Sequence, residues 1–260
     1  MSERCADTAL VVPCYNEESR LQPDQFAEFV TDCDGVQLLF VDDGSSDRTW
    51  EILEGIRAVV PQRVSTVRLE RNGGKAEAVR FGVNQALASD FLYIGYWDAD
   101  LATPLHLVST FRDTFRERPK CRFVLGSRVR LLGRDIRRNP LRHYLGRVFS
   151  TAASLALRLP VYDTQCGAKM FATGPDFAEV FSEPFSDPWI FDVEILFRLS
   201  GLWGAATTDR IIELPLPTWR DVGGSKLRAR DAHRPVAWLM NPVNTTSAMP
   251  SIFGAGSRSE

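Results

Sequence analysis

The stretch Val36-Gln37-Leu38-Leu39-Phe40-Val41-Asp42-Asp43-Gly44-Ser45-Ser46-Asp47 decides the fold. An apolar run without alternation suits a strand covered on both faces. It stops at two carboxylates and an Asp-Gly turn pair. Asp47 then reads as the N-cap of a helix over 47–60. The same order recurs on either side. Strand-like runs cover 9–13, 64–69 and 91–96, and helical patterns cover 23–33 and 75–88. This alternation predicts an α/β fold: a Rossmann-like, mostly parallel sheet with helices on both faces. A fifth strand is expected at 122–126.

The second half is less regular. Residues 139–160 read as a helix, with Leu141, Leu145, Val148, Phe149, Ala152, Leu155, Ala156 and Leu159 forming an apolar stripe. A short helix is expected over 192–199, ended by Gly201. Residues 211–217 read as an edge strand, because proline removes ladder donors. From about 234 the chain turns Pro-, Ser- and Gly-rich and reads as a tail.

The 260 residues are 44% hydrophobic and 25% charged, enough to bury a core and to exclude wholesale disorder. No apolar run reaches the ~18 residues of a membrane span. The first residues carry no apolar h-region, so no secretory signal is expected. Five cysteines without a CxxC pair argue against a zinc site or a disulfide framework, and a reducing cytoplasmic location fits. The net charge of −2 hides an asymmetry: residues 112–158 hold 13 Lys and Arg against three acids. Such a surplus suits an anionic partner such as phosphate, nucleic acid or a lipid surface, and equally a solvated basic face.

Polar residues follow four successive strands. They are Pro13-Cys14-Tyr15-Asn16-Glu17, then Asp42-Asp43-Gly44, then Asn72-Gly73-Gly74-Lys75, then Asp98-Ala99-Asp100. In an open parallel sheet ligands bind beyond the carboxyl ends of strands. Two carboxylates one residue apart suit a hard divalent cation, Mg2+ or Mn2+, and a ribose hydroxyl. Lys75 opens a helix after two glycines, where it can approach phosphate or sugar oxygens.

The segments VVPCYNEE, FVDDGSSDRTWEIL, RNGGKAEAVRFG and YWDADLATP, with VLGSRV, DTQCGAKMF, PWIFDVEIL and WRDVGGSKL further on, resemble the inverting glycosyltransferases of family 2, which have the GT-A fold. The later segments resemble the dolichyl-phosphate β-glucosyltransferase and polyprenyl-phosphate glycosyltransferase branch. The resemblance spans residues 8 to 228 in order. It implies one GT-A domain over 1–233, with a nucleotide-sugar half at 8–104, an acceptor half at 105–233, and a tail at 234–260. It also implies roles. Pro13, Tyr15 and Glu17 would frame the nucleoside, and Asp43 or Asp42 would bond the base. Lys75 would lie near the diphosphate or sugar. Asp98 would meet ribose or metal, with Asp100 the principal metal ligand. Ser127 and Arg128 would line the path to a phosphate. Asp163, Gln165 and Lys169 would fall in the acceptor half, with Trp189 and Asp192 as its wall. Ser225 and Lys226 would close over the phosphates. Ala102, shortly after the carboxylate pair, favours the glucosyl branch and leaves a third protein ligand unassigned.

The expected reaction is transfer of a hexose, glucose from UDP-glucose by preference, to a polyprenyl or dolichyl phosphate at a membrane surface. A hydroxyl acceptor would need a general base. Asp163 is preferred for that role over Asp192. The helix over 139–160 is either a core helix or an interfacial one. Alternatively, Arg134, Arg137, Arg138, Arg142 and Arg147 would grip the acceptor phosphate. Competing readings are the same fold acting on a soluble saccharide or secondary-metabolite hydroxyl, and a nucleotidyltransferase. The latter lacks its Gly-rich loop here. A nucleic-acid binder lacks any recognised signature.

Overall fold

The computed structural model describes residues 6–137 and 140–222, without the side chains of 140–143 and 145. Ser225, Lys226, Arg138 and the expected tail lie outside the described residues, as do the side chains of Leu141, Arg142 and Leu145.

The first half follows the expected order: β1 (Thr8–Cys14), α1 (Pro23–Asp32), β2 (Val36–Asp42), α2 (Thr49–Val59), β3 (Val64–Arg68), α3 (Lys75–Leu87) and β4 (Tyr93–Trp97). Then come α4 (Leu107–Glu117), β5 (Phe123–Ser127), β6 (Asp135–Arg137), α5 (Pro140–Leu157), β7 (Ala168–Ala172) and α6 (Pro175–Ser182). The described elements end with α7 (Phe191–Trp203), a 3-10 turn, α8 (Thr207–Arg210), β8 (Ile211–Pro215) and β9 (Thr218–Arg220).

Seven strands form one sheet in the order β3-β2-β1-β4-β7-β5-β8, while β6 and β9 pair separately in parallel. Strand side chains alternate between faces. Thus Ala9, Val11, Leu39 and Val41 enter one apolar layer, while Leu10, Val12, Leu38 and Phe40 enter the other. Helices cover both layers, which is why these strands carry apolar residues on both faces. β8 is at the sheet edge, as its prolines demand.

Several elements differ from the sequence reading, which foresaw neither β6, α6, α8 nor β9. β7 was not expected, and it lies inside the sheet, antiparallel to both β4 and β5. Its reversal carries its N-terminal end to the carboxyl edge of the parallel strands. α4 was not expected either, although Leu107, Val108, Phe111 and Phe115 repeat at helical spacing and are buried. Gly201 does not stop α7, which runs on to Trp203 because its neighbours are packed into the core. On α5 the expected stripe holds only in part: Phe149, Ala152, Ala156 and Leu159 pack against the core with buried Ser150, Ala153 and Leu157, while Val148 and Leu155 face outward.

Candidate active site

β4 ends at Trp97, and the next residue is Asp98. Its N–H donates to Gly167 O at 3.0 Å, the residue just before β7. A Cβ on Gly167 would stand 1.8 Å from Asp98 Oδ2, so only glycine leaves room for this carboxylate. Lys75 Nζ, from the first residue of α3, lies 2.6 Å from Asp98 Oδ1 and 5.9 Å from the Phe191 ring centre. Burial opposes the lysine charge, but the Asp98, Asp192 and Asp100 carboxylates outweigh it and raise its pKa. Asp100 turns back through Leu101, whose φ is 53°. Its Oδ1 accepts from Ala102 N at 3.1 Å. Burial, then Asp98, raises the Asp100 pKa.

Arg20 was not singled out from sequence. Its Nε donates to Glu17 Oε2 at 2.7 Å, its Nη2 to Glu17 Oε1, and its Nη1 lies 3.9 Å from Asp100 Oδ2. Each carboxylate of the pair therefore faces a protein cation. The spacing Glu17-x-x-Arg20 was the available signal, since a turn brings such residues together.

The loops after β1, β2 and β3, expected to frame a nucleoside, are tied to one another. Asp43 accepts from Gly73 N at 2.7 Å, Gly74 N at 2.8 Å and Asn72 Nδ2 at 2.8 Å. Burial raises its pKa while those two N–H groups pull it down. Gly74 has φ 89°, a conformation glycine permits as the chain enters α3. Asp42 is fully buried. Its Oδ1 accepts from Ser45 N at 3.1 Å and its Oδ2 is 3.1 Å from Arg68 Nε. Asp43 thus shapes the loop over 72–74, and Asp42 lies beside the Arg68 guanidinium. Glu17 is buried beneath Arg20, while Pro13 and Tyr15 are half-buried at the end of β1.

The residues expected on the acceptor side form two groups. In the first, Arg128 grips Asp163: Nε donates to Oδ2 at 2.7 Å, Nη2 to Oδ1 at 2.8 Å, and the backbone N to Oδ2 at 3.0 Å. Gln165 N also donates to Asp163 Oδ1, at 3.1 Å. Trp219 of β9 lies against the guanidinium, 5.3 Å from ring centre to Cζ. Although burial disfavours its charge, Asp163 raises the Arg128 pKa. The fork ties the end of β5 to the loop over 163–166. Buried Ser127 Oγ, Thr164 Oγ1 and Gln165 Nε2 on those two segments have no hydrogen-bond partner.

In the second group, β4 and β7 set Tyr96 opposite Lys169, and α7 adds Asp192 in its first turn. Asp192 Oδ1 accepts from Tyr96 Oη at 2.7 Å and lies 2.8 Å from Lys169 Nζ. Lys169 is fully buried. Burial, reinforced by Asp192, raises the Tyr96 pKa well above the ordinary value. Asp163, the preferred base from sequence, has both oxygens engaged by the Arg128 guanidinium. Asp192 takes both of its hydrogen-bonding contacts on one oxygen and acts on Lys75 electrostatically. Asp192 is thus less fully engaged than Asp163. Trp189 is partly exposed, just before α7.

No group of three His, Cys, Asp or Glu converges on a metal position among the described residues. The carboxylate pair nevertheless fits a hard cation that completes its shell with phosphate oxygens and water. The cradle at Gly167 keeps Asp98 at the mouth of the site, beside Asp100.

This sheet, with its reversed inner strand and a carboxylate pair after β4, has the architecture of the GT-A glycosyltransferases. The chain belongs to glycosyl transferase family 2, whose profile matches residues 9–175. A dolichyl-phosphate beta-glucosyltransferase of Trichomonas vaginalis is 29% identical over 85% of this chain and 66% of its own length. The mouse dolichyl-phosphate beta-glucosyltransferase is 30% identical over 84% and 69%. The chain thus spans about two-thirds of these relatives. Among solved structures, glucosyl-3-phosphoglycerate synthase of Mycobacterium tuberculosis, in complex with Mn2+, UDP and glucosyl-3-phosphoglycerate, superposes with a TM-score of 0.67. That match has 17% identity and covers 94% of this chain and 81% of the synthase.

Proposed function

We propose that the protein transfers glucose from UDP-glucose to a polyprenyl or dolichyl phosphate, with inversion at the anomeric carbon. The observation that carries this reading is the Lys75–Asp98–Gly167 cradle beside Asp100, at the strand edge where family 2 enzymes handle a nucleotide sugar. The names of the relatives support the sugar and the lipid acceptor.

Asp98 and Asp100 would hold a divalent cation, which would supply charge neutralisation for the departing diphosphate. Lys75, raised in pKa and so charged at neutral pH, adds a fixed positive charge on the same side. Glu17 holds Arg20 against Asp100 and limits how far that carboxylate can turn. On the acceptor side, the orphaned Ser127 Oγ and Gln165 Nε2 are donors a phosphate would satisfy. Arg128, positioned by Asp163, supplies the countercharge. An acceptor phosphate brings its own anionic nucleophile, so no protein base must remove a proton. Asp192 then holds Lys169 and Tyr96 at the wall of the site.

The donor half is tested by thermal shift of the full chain with nucleotide sugars. UDP-glucose with Mn2+ is expected to raise Tm more than GDP- or ADP-sugars, and chelation is expected to remove most of the gain. Equal stabilisation by all nucleotide sugars, or none, contradicts the donor assignment.

A further inference from the structure

Nine large apolar side chains stand exposed among the described residues, and five of them fall between 131 and 155. Leu131 is 49% and Leu132 104% exposed, and Tyr144, Val148 and Leu155 are 70%, 64% and 74% exposed. The other four (Val59, Phe81, Leu92 and Trp189) are scattered over separate segments.

Tyr144, Val148, Thr151 and Leu155 succeed one another at spacings of four and three, so they form one line along α5. The opposite side, with Ala153 and Leu157, is packed into the core. A helix with one face in the core ordinarily turns a charged face outward, and this one turns out a tyrosine, a valine, a threonine and a leucine. The two leucines form the tip of the β5–β6 connection, Arg130-Leu131-Leu132-Gly133-Arg134, where Gly133 has φ 81°. Exposed arginines surround the tip: Arg130, Arg134 and Arg137, with Arg220 paired beside Arg137 across β6 and β9. Asp135 meets both Arg137 and Arg220 and neutralises one of them. Apolar projections ringed by arginines match the chemistry of an anionic bilayer, whose headgroups meet cations while its acyl boundary takes leucine and tyrosine.

Reach points the same way. Leu131 is three residue steps from Arg128, a span of at most about 11 Å even when fully extended. A phosphate at the height of the headgroups would therefore lie within reach of Arg128 and Ser127.

We propose that the Leu131–Leu132 tip and the outer line of α5 form a docking face for an anionic lipid surface, which presents the acceptor phosphate to the end of β5. This rests on the lipid-phosphate reading above, but the face is testable without the acceptor. The full chain is sedimented with vesicles of phosphatidylcholine alone, or containing phosphatidylglycerol, with neither nucleotide nor acceptor lipid present. Binding to the anionic vesicles, weakened by salt, is expected. L131E/L132E and V148E/L155E are each expected to weaken it about tenfold or more, with circular dichroism and Tm unchanged. Turnover with a short, water-soluble polyprenyl phosphate is expected to stay within about twofold, while turnover with a long-chain acceptor in vesicles falls with vesicle binding. Equal sedimentation with and without anionic lipid, or variants that bind like the parent, overturns the docking face. A dimer in sedimentation velocity that both variants dissolve also overturns it, by assigning the face to a second copy. Vesicle binding without transfer to any lipid phosphate overturns the acceptor reading and leaves the face standing.

Discussion

At the scale of single residues, the account turns on three positions around Asp98. Lys75 is its charged partner, and removing it leaves a carboxylate facing Asp100 with no cation at hydrogen-bonding distance. Lys75→Ala is expected to lower kcat/KM about 10²–10³-fold, the usual cost of one preorganised charge at a developing anion. A steady-state assay that finds less than a tenfold loss would remove Lys75 from the mechanism. Gly167→Ala is expected to act differently. The new methyl group meets Asp98 at a separation no real contact shows, so either the carboxylate or the β4–β7 junction must move. Calorimetric titration is expected to show loss of Mn2+-dependent UDP binding in that variant, with the variant still folded. Undiminished binding would show that Asp98 does not need its present seat. The third position, Asp163, is a positioning residue. Asp163→Asn leaves the Arg128 guanidinium buried without its counter-ion, which costs about 3–5 kcal/mol for buried pairs. For a chain of this size each kcal/mol corresponds to about 2–4 °C in Tm. A large fall in Tm is therefore expected by calorimetry, and a stable but inactive variant would restore Asp163 as a candidate base.

At the scale of elements, the junction of β4, β7 and α7 places Tyr96, Lys169 and Asp192 in one buried cluster. The raised Tyr96 pKa means that the folded chain holds this proton more tightly than the unfolded chain does. Its contribution to stability is fully present below the ordinary tyrosine value of about 10. It is lost as pH rises through the folded value. Cys121, pushed by burial from 9.0 to about 11, acts in the same direction over that window. Tyr96→Phe is accordingly expected to flatten the decline of Tm between pH 9 and pH 11, and an unchanged slope would show that another group governs it. Elements also mark what sequence could reveal. β1 to β4 and their helices were legible because long apolar runs end in turn residues, and the register of strand and helix is local there. β7 was not, because five residues, Ala168–Ala172, carry no period of their own and owe their place to pairing on both sides. The α5 stripe was drawn too wide, because apolar spacing alone does not show that Val148 and Leu155 fall on the outer side. That the carboxylate pair and Lys75 fall at one sheet edge was legible, because each follows a strand of the parallel set. That Asp43 is spent on its own loop, and Asp163 on Arg128, was not, since both depend on contacts about thirty residues away in sequence.

At the scale of the whole molecule, the near-neutral net charge resolves into two regions with different tasks. The carboxylates at the ends of β1, β2 and β4 gather at the carboxyl edge of the sheet, where the proposed donor would bind. The basic surplus over 112–158 runs from α4 through the arginine-flanked tip to α5. A phosphate acceptor loses its second proton near pH 6. If that oxygen is the nucleophile, kcat/KM should rise as pH rises through about 6 and then level, because the dianion attacks more readily. The same profile in Asp192→Asn, at reduced amplitude, is expected. A limb that disappears in that variant would identify Asp192 as a base acting on a hydroxyl acceptor instead. The central claim is tested most directly by incubating the full chain with UDP-glucose, Mn2+ and a polyprenyl phosphate, then determining the anomeric configuration of the product by NMR. The account predicts a lipid-linked glucosyl phosphate of β configuration. A product of α configuration, or transfer only to soluble sugars, would contradict it.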